Sequence, residues 1–72
     1  MSNKFSTKKL LNSKWTDARP HNSEKHWVVT EVEFDEKGNM ILCVMTAVLT
    51  KKSRSINWTD LKDSSIWHIG WK

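Results

Sequence analysis

Apolar and polar residues alternate most cleanly from Trp27 to Asp35, where Val28, Thr30, Val32 and Phe34 share one parity and Glu31, Glu33 and Asp35 the other. A period of two marks a half-buried strand, so the first set is expected to face a core and the second water. The next run, Met40 to Thr50, is apolar on both parities. That predicts a strand covered on both sides, or one that bends within a curled sheet. Between the two runs, Asp35-Glu36-Lys37-Gly38-Asn39 suits a three-residue hairpin loop with Gly38 in the left-handed position. Such a loop pairs Asp35 with Asn39, Phe34 with Met40, Val32 with Leu42 and Thr30 with Val44.

The remaining elements are shorter. Leu10, Leu11 and Trp15 bracket a first strand that runs to Thr16, and Asp17 to Lys25, with Pro20, Asn22 and Ser23, is a long loop. Lys51-Lys52-Ser53 turns the chain into a strand from Arg54 to Trp58. Its register is open, because two- and three-residue loops put Ile56 and Trp58 on opposite faces. Thr59 caps a single helical turn over Asp60-Leu61-Lys62. Trp67-His68-Ile69-Gly70-Trp71-Lys72 is the last strand, with two indoles and an isoleucine on one face and Gly70 marking a bulge or a close backbone approach. This order predicts a mainly β fold, a small SH3-like, partly open barrel of about five antiparallel strands with one short helical turn before the last strand. An open, twisted sheet of four or five strands, with the N-terminal segment packed across it as a short helix, is the alternative. Residues 10–72 form the single domain, and residues 1–9, polar and basic apart from Phe5, form a flexible arm.

Length decides what the tryptophans are for. A chain of 72 residues buries only about 60% of the surface its unfolded form exposes, so it needs dense aromatic packing, a metal or disulfides. Five tryptophans supply the first. The lone cysteine, Cys43, excludes an internal disulfide and fits a reducing, cytoplasmic setting. No stretch has the length and apolarity of a secretory signal or a membrane span, so no membrane partner is expected.

Charge alternates in blocks within a net +4. Lys4, Lys8, Lys9 and Lys14 stand unopposed at the start. Asp17, Glu24, Glu31, Glu33, Asp35 and Glu36 then outweigh Arg19 and Lys25, and Lys37, Lys51, Lys52 and Arg54 reverse the sign again. A surface patterned in this way can bind a polyanion on one side only.

Several of these pieces fit one pattern: Lys9-Leu10-Leu11, Ser13-Lys14-Trp15-Thr16, Lys25-His26, Val32-Glu33-Phe34-Asp35, Ala47-Val48-Leu49, Trp58 with Leu61-Lys62-Asp63, and Trp67 with Gly70-Trp71-Lys72. In them the chain resembles a family of small tryptophan-rich bacterial proteins of unknown function, over about residues 8–72. The resemblance implies no activity, substrate or catalytic residue.

Candidate chemistry is therefore weighed residue by residue. Trp67 and Trp71 are expected in the core, for their area. Trp27 lies on the acid-bearing parity and Trp15 borders the basic arm, which makes these two the better candidates for a surface site. Cations track phosphates while rings stack bases, so Lys8, Lys9, Lys14, Trp15, Lys51, Lys52, Arg54 and Trp58 are the candidate residues for binding RNA or single-stranded DNA. Lysines in turns and at sheet edges also serve solubility and block edge pairing, and that reading is the commoner one. The row Glu31, Glu33, Asp35 reads as a solvated face rather than a metal site. His21, His26, His68 and Cys43 lack the spacing of zinc ligands. No nucleophile elbow, phosphate loop or paired catalytic signature is present, so the chain is not expected to be an enzyme and no cofactor is implied. What remains is a small binding module for RNA or single-stranded DNA, or else a protein-interaction adaptor whose aromatic groove takes a peptide or an acidic partner.

Overall fold

The computed structural model describes residues 3–20 and 24–71, and five strands within them form one antiparallel sheet. They are β1 (Lys14–Asp17), β2 (His26–Phe34), β3 (Met40–Ala47), β4 (Ser53–Ser55) and β5 (Trp67–Ile69). Their order across the sheet is β4-β3-β2-β1-β5, a meander whose last strand returns to lie beside the first. The only helical pieces among the described residues are 3-10 turns, Thr7–Lys9 before the sheet and Trp58–Lys62 before β5. The fold is thus mainly β, with five antiparallel strands and one turn of helix ahead of the last. No described helix is long and apolar enough to cross a membrane.

The hairpin loop follows its sequence closely. Gly38 has φ of 85°, the Asp35 N–H donates to the Asn39 carbonyl at 2.8 Å, and Phe34 pairs with Met40. Beyond that pair the expected register fails, because each strand carries an extra residue. Ile41 is skipped on β3 and Thr30 on β2, so Val32 meets Cys43 rather than Leu42, and Thr30 has no opposite residue. Each bulge reverses side-chain parity along its own strand. On β2 the core-facing parity therefore holds Val32, half-buried, and Phe34, 39% exposed beyond the core's edge, on one side of Thr30, and the buried Trp27 and Val29 on the other. On β3 it holds Met40, then Cys43, Met45 and Ala47. Val28, Leu42 and Val44, expected inside, are half-buried on the outer face.

Ten residues form the core: Leu10, Trp15, Trp27, Val29, Met40, Cys43, Met45, Ala47, Leu61 and Trp67. Two expectations about the tryptophans are corrected. Trp27, expected at the surface from its parity, and Trp15, expected there because it borders the basic arm, are only 4% and 1% exposed, and they sit opposite one another on β2 and β1. Trp71, expected to share the core face with Trp67, is 44% exposed. The cause is Gly70, whose φ of 81° ends β5 at Ile69 and swings the next side chain across the sheet. Trp71 then lies on the outer face, where its Nε1–H donates to the Trp27 carbonyl at 3.2 Å. Two buried indole donors are met locally. Trp15 Nε1–H bonds Ser13 Oγ and Trp27 Nε1–H bonds the Glu24 carbonyl, both at 2.8 Å, so these two rings are buried with their polar atoms satisfied.

Three boundaries differ from the sequence expectation. The first strand begins at Lys14 rather than Leu10, because Asn12 takes φ of 68° and a tight turn returns the Ser13 N–H to the Leu10 carbonyl. The strand expected over Arg54 to Trp58 stops at Ser55, and Arg54 opposite Met45 fixes its register with Arg54 on the inner side. The second 3-10 turn is capped by Asn57, whose Oδ1 accepts from the Thr59 N–H at 3.2 Å, and not by Thr59. Residues 3–9, expected as a flexible arm, make specific contacts. The Asn3 N–H donates to the Lys62 carbonyl, its side-chain amide to the carbonyls of Leu61 and Trp67, and Phe5 meets Trp15 edge-on at 5.5 Å.

Trp67 and Trp71 should separate sharply in denaturant melts. Trp67→Ala empties a buried ring site and should cost about 3–5 kcal/mol, a large part of the stability of a domain this size. Trp71→Ala forfeits one hydrogen bond and part of a ring's area, about 1–1.5 kcal/mol. Equal losses would contradict the assignment of Trp71 to the outer face. A second expectation concerns the hairpin. Asp35 accepts from the Asn39 and Lys37 N–H groups, at 2.8 and 2.9 Å, which holds its carboxyl below the ordinary 3.8. A carboxyl depressed on folding contributes stability above its unfolded pKa and loses it as pH falls through the folded value, a window below about pH 4. Asp35→Asn should be less stable than the parent at pH 7, with the gap closing by pH 2–3 in urea melts. A gap independent of pH would refute the carboxylate's role.

Candidate nucleic-acid interface

The candidate cations fall into two groups, because β1 and β4 lie at separated places in the strand order. At the start of β1, the turn that reverses the chain at Asn12 folds the N-terminal segment back along the strand. Lys4, Lys9 and Lys14 thereby line one open groove of about 530 Å³, together with Phe5, Trp15 and Ile69. No carboxylate lines it. Phe5 is half-buried against Trp15, and Ile69 on β5 is 45% exposed, so the groove has an apolar floor and a cationic rim. At its edge the Lys14 ammonium stands 4.9 Å from the centre of the exposed Trp71 ring, which in turn lies 5.7 Å from His26.

The second group lies around the turn after β3. Lys52 and Arg54 line a smaller cleft of about 220 Å³ that also holds Asp17, Glu24 and Trp27. Its charges are mixed, because Asp17 at the end of β1 and Glu24 on the loop after it stand alongside. Lys51 sits at the apex with φ of 63° and does not line the cleft. Trp58 opens the second 3-10 turn, half-buried, with the Lys62 ammonium 4.8 Å from its ring centre.

Of the residues singled out from sequence, then, Lys9, Lys14 and Trp15 share the first groove, and Lys52 and Arg54 share the cleft. Lys8 is exposed on the first 3-10 turn without lining either, and Lys51 and Trp58 stand apart from both. Trp15 contributes only the edge of a buried ring, so it cannot stack a base. Lys4, Phe5 and Ile69 also shape the groove, although sequence spacing places Lys4 and Phe5 in the arm and Ile69 on the face of the last strand that carries Trp67. Phe5 carried a readable signal, as the one aromatic in an otherwise polar and basic segment.

Metal-type chemistry finds little footing. Among the described residues no three of the His, Cys, Asp and Glu side chains group closely enough to hold a metal. Cys43 is buried in the core, and burial pushes its thiol above the ordinary value, which leaves the reactive thiolate disfavoured. His26 lies against Trp71 and His68 is half-buried on β5, while His21 lies outside the described residues, as does Lys72.

A family model described as "Tryptophan-rich protein (DUF2389)" matches residues 13–72. No curated protein and no solved structure matches the chain.

Indole accessibility provides a direct check on this surface. Trp71 and, less so, Trp58 should carry nearly all of the fluorescence that acrylamide can quench, since Trp15, Trp27 and Trp67 are at most 4% exposed. Replacing Trp71 and Trp58 together by Phe should lower the Stern–Volmer slope by more than half. An unchanged slope would mean that one of the three core indoles reaches solvent.

Proposed function

Taking as premise that the chain belongs to this tryptophan-rich family of unknown function, we propose that it is a non-catalytic binding module for RNA or single-stranded DNA. One observation carries the reading: Lys4, Lys9 and Lys14 converge on a single groove that no acid lines. Lys52 and Arg54 share their cleft with Asp17 and Glu24, whereas these three face a concave surface unopposed. Polyanion binding draws its free energy largely from the counterions displaced when such cations meet phosphates. Trp71, nearly half exposed beside Lys14, supplies the flat face that a splayed base needs, and every base has such a face, so the preference would be for single strands over a particular sequence.

The same groove supports a second reading. Its floor of Phe5 and Ile69 is apolar enough to hold the side chains of an acidic peptide, which would make the protein an interaction adaptor. Salt and the exposed ring separate the two. Single-strand binding through three phosphate contacts should weaken with a slope of about −2 in log K against log salt, at about −0.7 per phosphate.

The experiment is a fluorescence-anisotropy titration of mixed-sequence 12-mer RNA and DNA single strands from 20 to 300 mM salt, run on the parent, on Lys4→Ala/Lys9→Ala/Lys14→Ala and on Trp71→Ala. Loss of most affinity and of the salt slope in the triple variant, with a severalfold loss in Trp71→Ala, is the expected result. No binding at 20 mM salt, or binding that the triple variant retains in full, would sink the nucleic-acid reading. Capture of an acidic peptide, dependent on Phe5 and indifferent to Trp71, would favour the adaptor.

A further inference from the structure

The smaller cleft has a construction that polyanion binding does not explain. Trp27 and Trp67 meet edge to face, with ring centres 6.0 Å apart and planes at 87°, and so form the two walls of a right-angled corner. Arg54 fills it, its guanidinium carbon 4.8 Å from the centre of the Trp27 ring and 5.6 Å from that of Trp67. Aromatic faces carry negative potential, and a corner of two indoles is a receptor for an organic cation. Of the two indoles it is Trp27 that lines the cleft, where Asp17, Glu24 and Arg54 line it too. Glu24 is held there at both ends, since its backbone carbonyl accepts the Trp27 indole N–H and its carboxylate accepts the Thr50 hydroxyl. With the Arg54 side chain swung out, the lining would hold two acids against Lys52 alone, a local acidic excess on a protein of net charge +4.

The element that carries the plug lies at the margin of the sheet. β4 has only three residues, all exposed, and it is an edge strand bonded to β3 alone. Arg54 occupies an inward position opposite Met45, where an aliphatic side chain would cover the indoles with no need of a charge. An exposed guanidinium on an indole is held weakly enough for a competing cation to replace it.

We infer that the Trp27–Trp67 corner is a binding site for an alkylguanidinium or alkylammonium group, and that Arg54 occupies it in cis. An external cation binds by displacing Arg54 and pairs with the carboxylates of Asp17 and Glu24. This site lies apart from the lysine groove and does not depend on what that groove binds.

The test uses N-acetyl-arginine methylamide and N-acetyl-trimethyllysine methylamide as probes, with the neutral N-acetyl-citrulline methylamide as control. Binding is read from the indole N–H resonances in 1H–15N spectra. Arg54→Ala should bind a cationic probe at least tenfold more tightly than the parent, with shifts at the Trp27 and Trp67 indoles, and Glu24→Gln in that background should weaken it severalfold. A preference for the capped probes over free arginine would point to a polypeptide source, and equal binding to a small molecule. A folded Arg54→Ala that binds neither cation, or that binds citrulline as well, would overturn the site and leave Arg54 a structural lid. Should Arg54→Ala fail to fold, the parent decides. Millimolar cationic probe must then shift the Trp27 and Trp67 indoles and not that of Trp58, and the absence of those shifts refutes the inference.

Discussion

The packing of Trp15, Trp27 and Trp67 is the contact on which the rest of the fold depends. Trp15 on β1 sits in register with Trp27 on β2 and Ile69 on β5, and the Trp27 and Trp67 rings meet edge to face. β1 is therefore the joining strand: it pairs the long hairpin on one side with the returning strand on the other, and Trp15 lies opposite a residue of each. Three rings of this size bury more apolar area than the aliphatic residues of so short a chain could supply from the same number of positions. Leu61, on the 3-10 turn before β5, and Leu10, on the turn before β1, close the ends of the cluster. β4 and β5 can be short because Trp67 is the one core residue they carry between them.

How much of this was readable depended on whether parity survived along a strand. The hairpin was legible because its loop chemistry is local: Asp35 accepts from the amides across the loop, Gly38 takes the left-handed turn, and Phe34 meets Met40 as its spacing demands. The core face was legible for Val32, Phe34 and Met40 and then inverted, because the bulges at Thr30 and Ile41 leave no mark in an alternating sequence. Neither residue is a glycine or otherwise unusual in a strand. Trp27 changed sides for this reason alone. Trp71 changed sides at Gly70, which was flagged as irregular without any indication of its direction. Trp67, two residues before an unbroken Ile69, kept its place.

The candidate surfaces were legible in part. Lys9 with Lys14, and Lys52 with Arg54, do come together, because each pair sits on one turn or strand and local spacing determines it. Assigning both pairs to a single interface required knowing where β1 and β4 lie in the sheet, and that is a long-range fact. The acids beside Arg54 were invisible for the same reason. Asp17 and Glu24 reach the cleft only because the end of β1 and the loop after it stand alongside the turn after β3. Lys4 and Phe5 lie in a segment whose composition carries little folding signal, and what anchors it, Asn3 bonded to the carbonyls of Leu61, Lys62 and Trp67, is a long-range contact.

The placement of β5 beside β1 has a consequence for how the protein comes to be folded. Trp15 must wait for Ile69, and Asn3 for Trp67, so β1 gains its second partner only when almost all of the domain has been made. The hairpin of β2 and β3 can form early from local contacts, but it would carry the bare Trp27 indole until the returning strand arrives. Topologies dominated by such distant pairings fold slowly and expose sticky surface on the way. During synthesis, the nascent chain therefore passes through a stage in which a preformed hairpin presents an uncovered aromatic face, and that stage is the one at which chaperones or self-association would act.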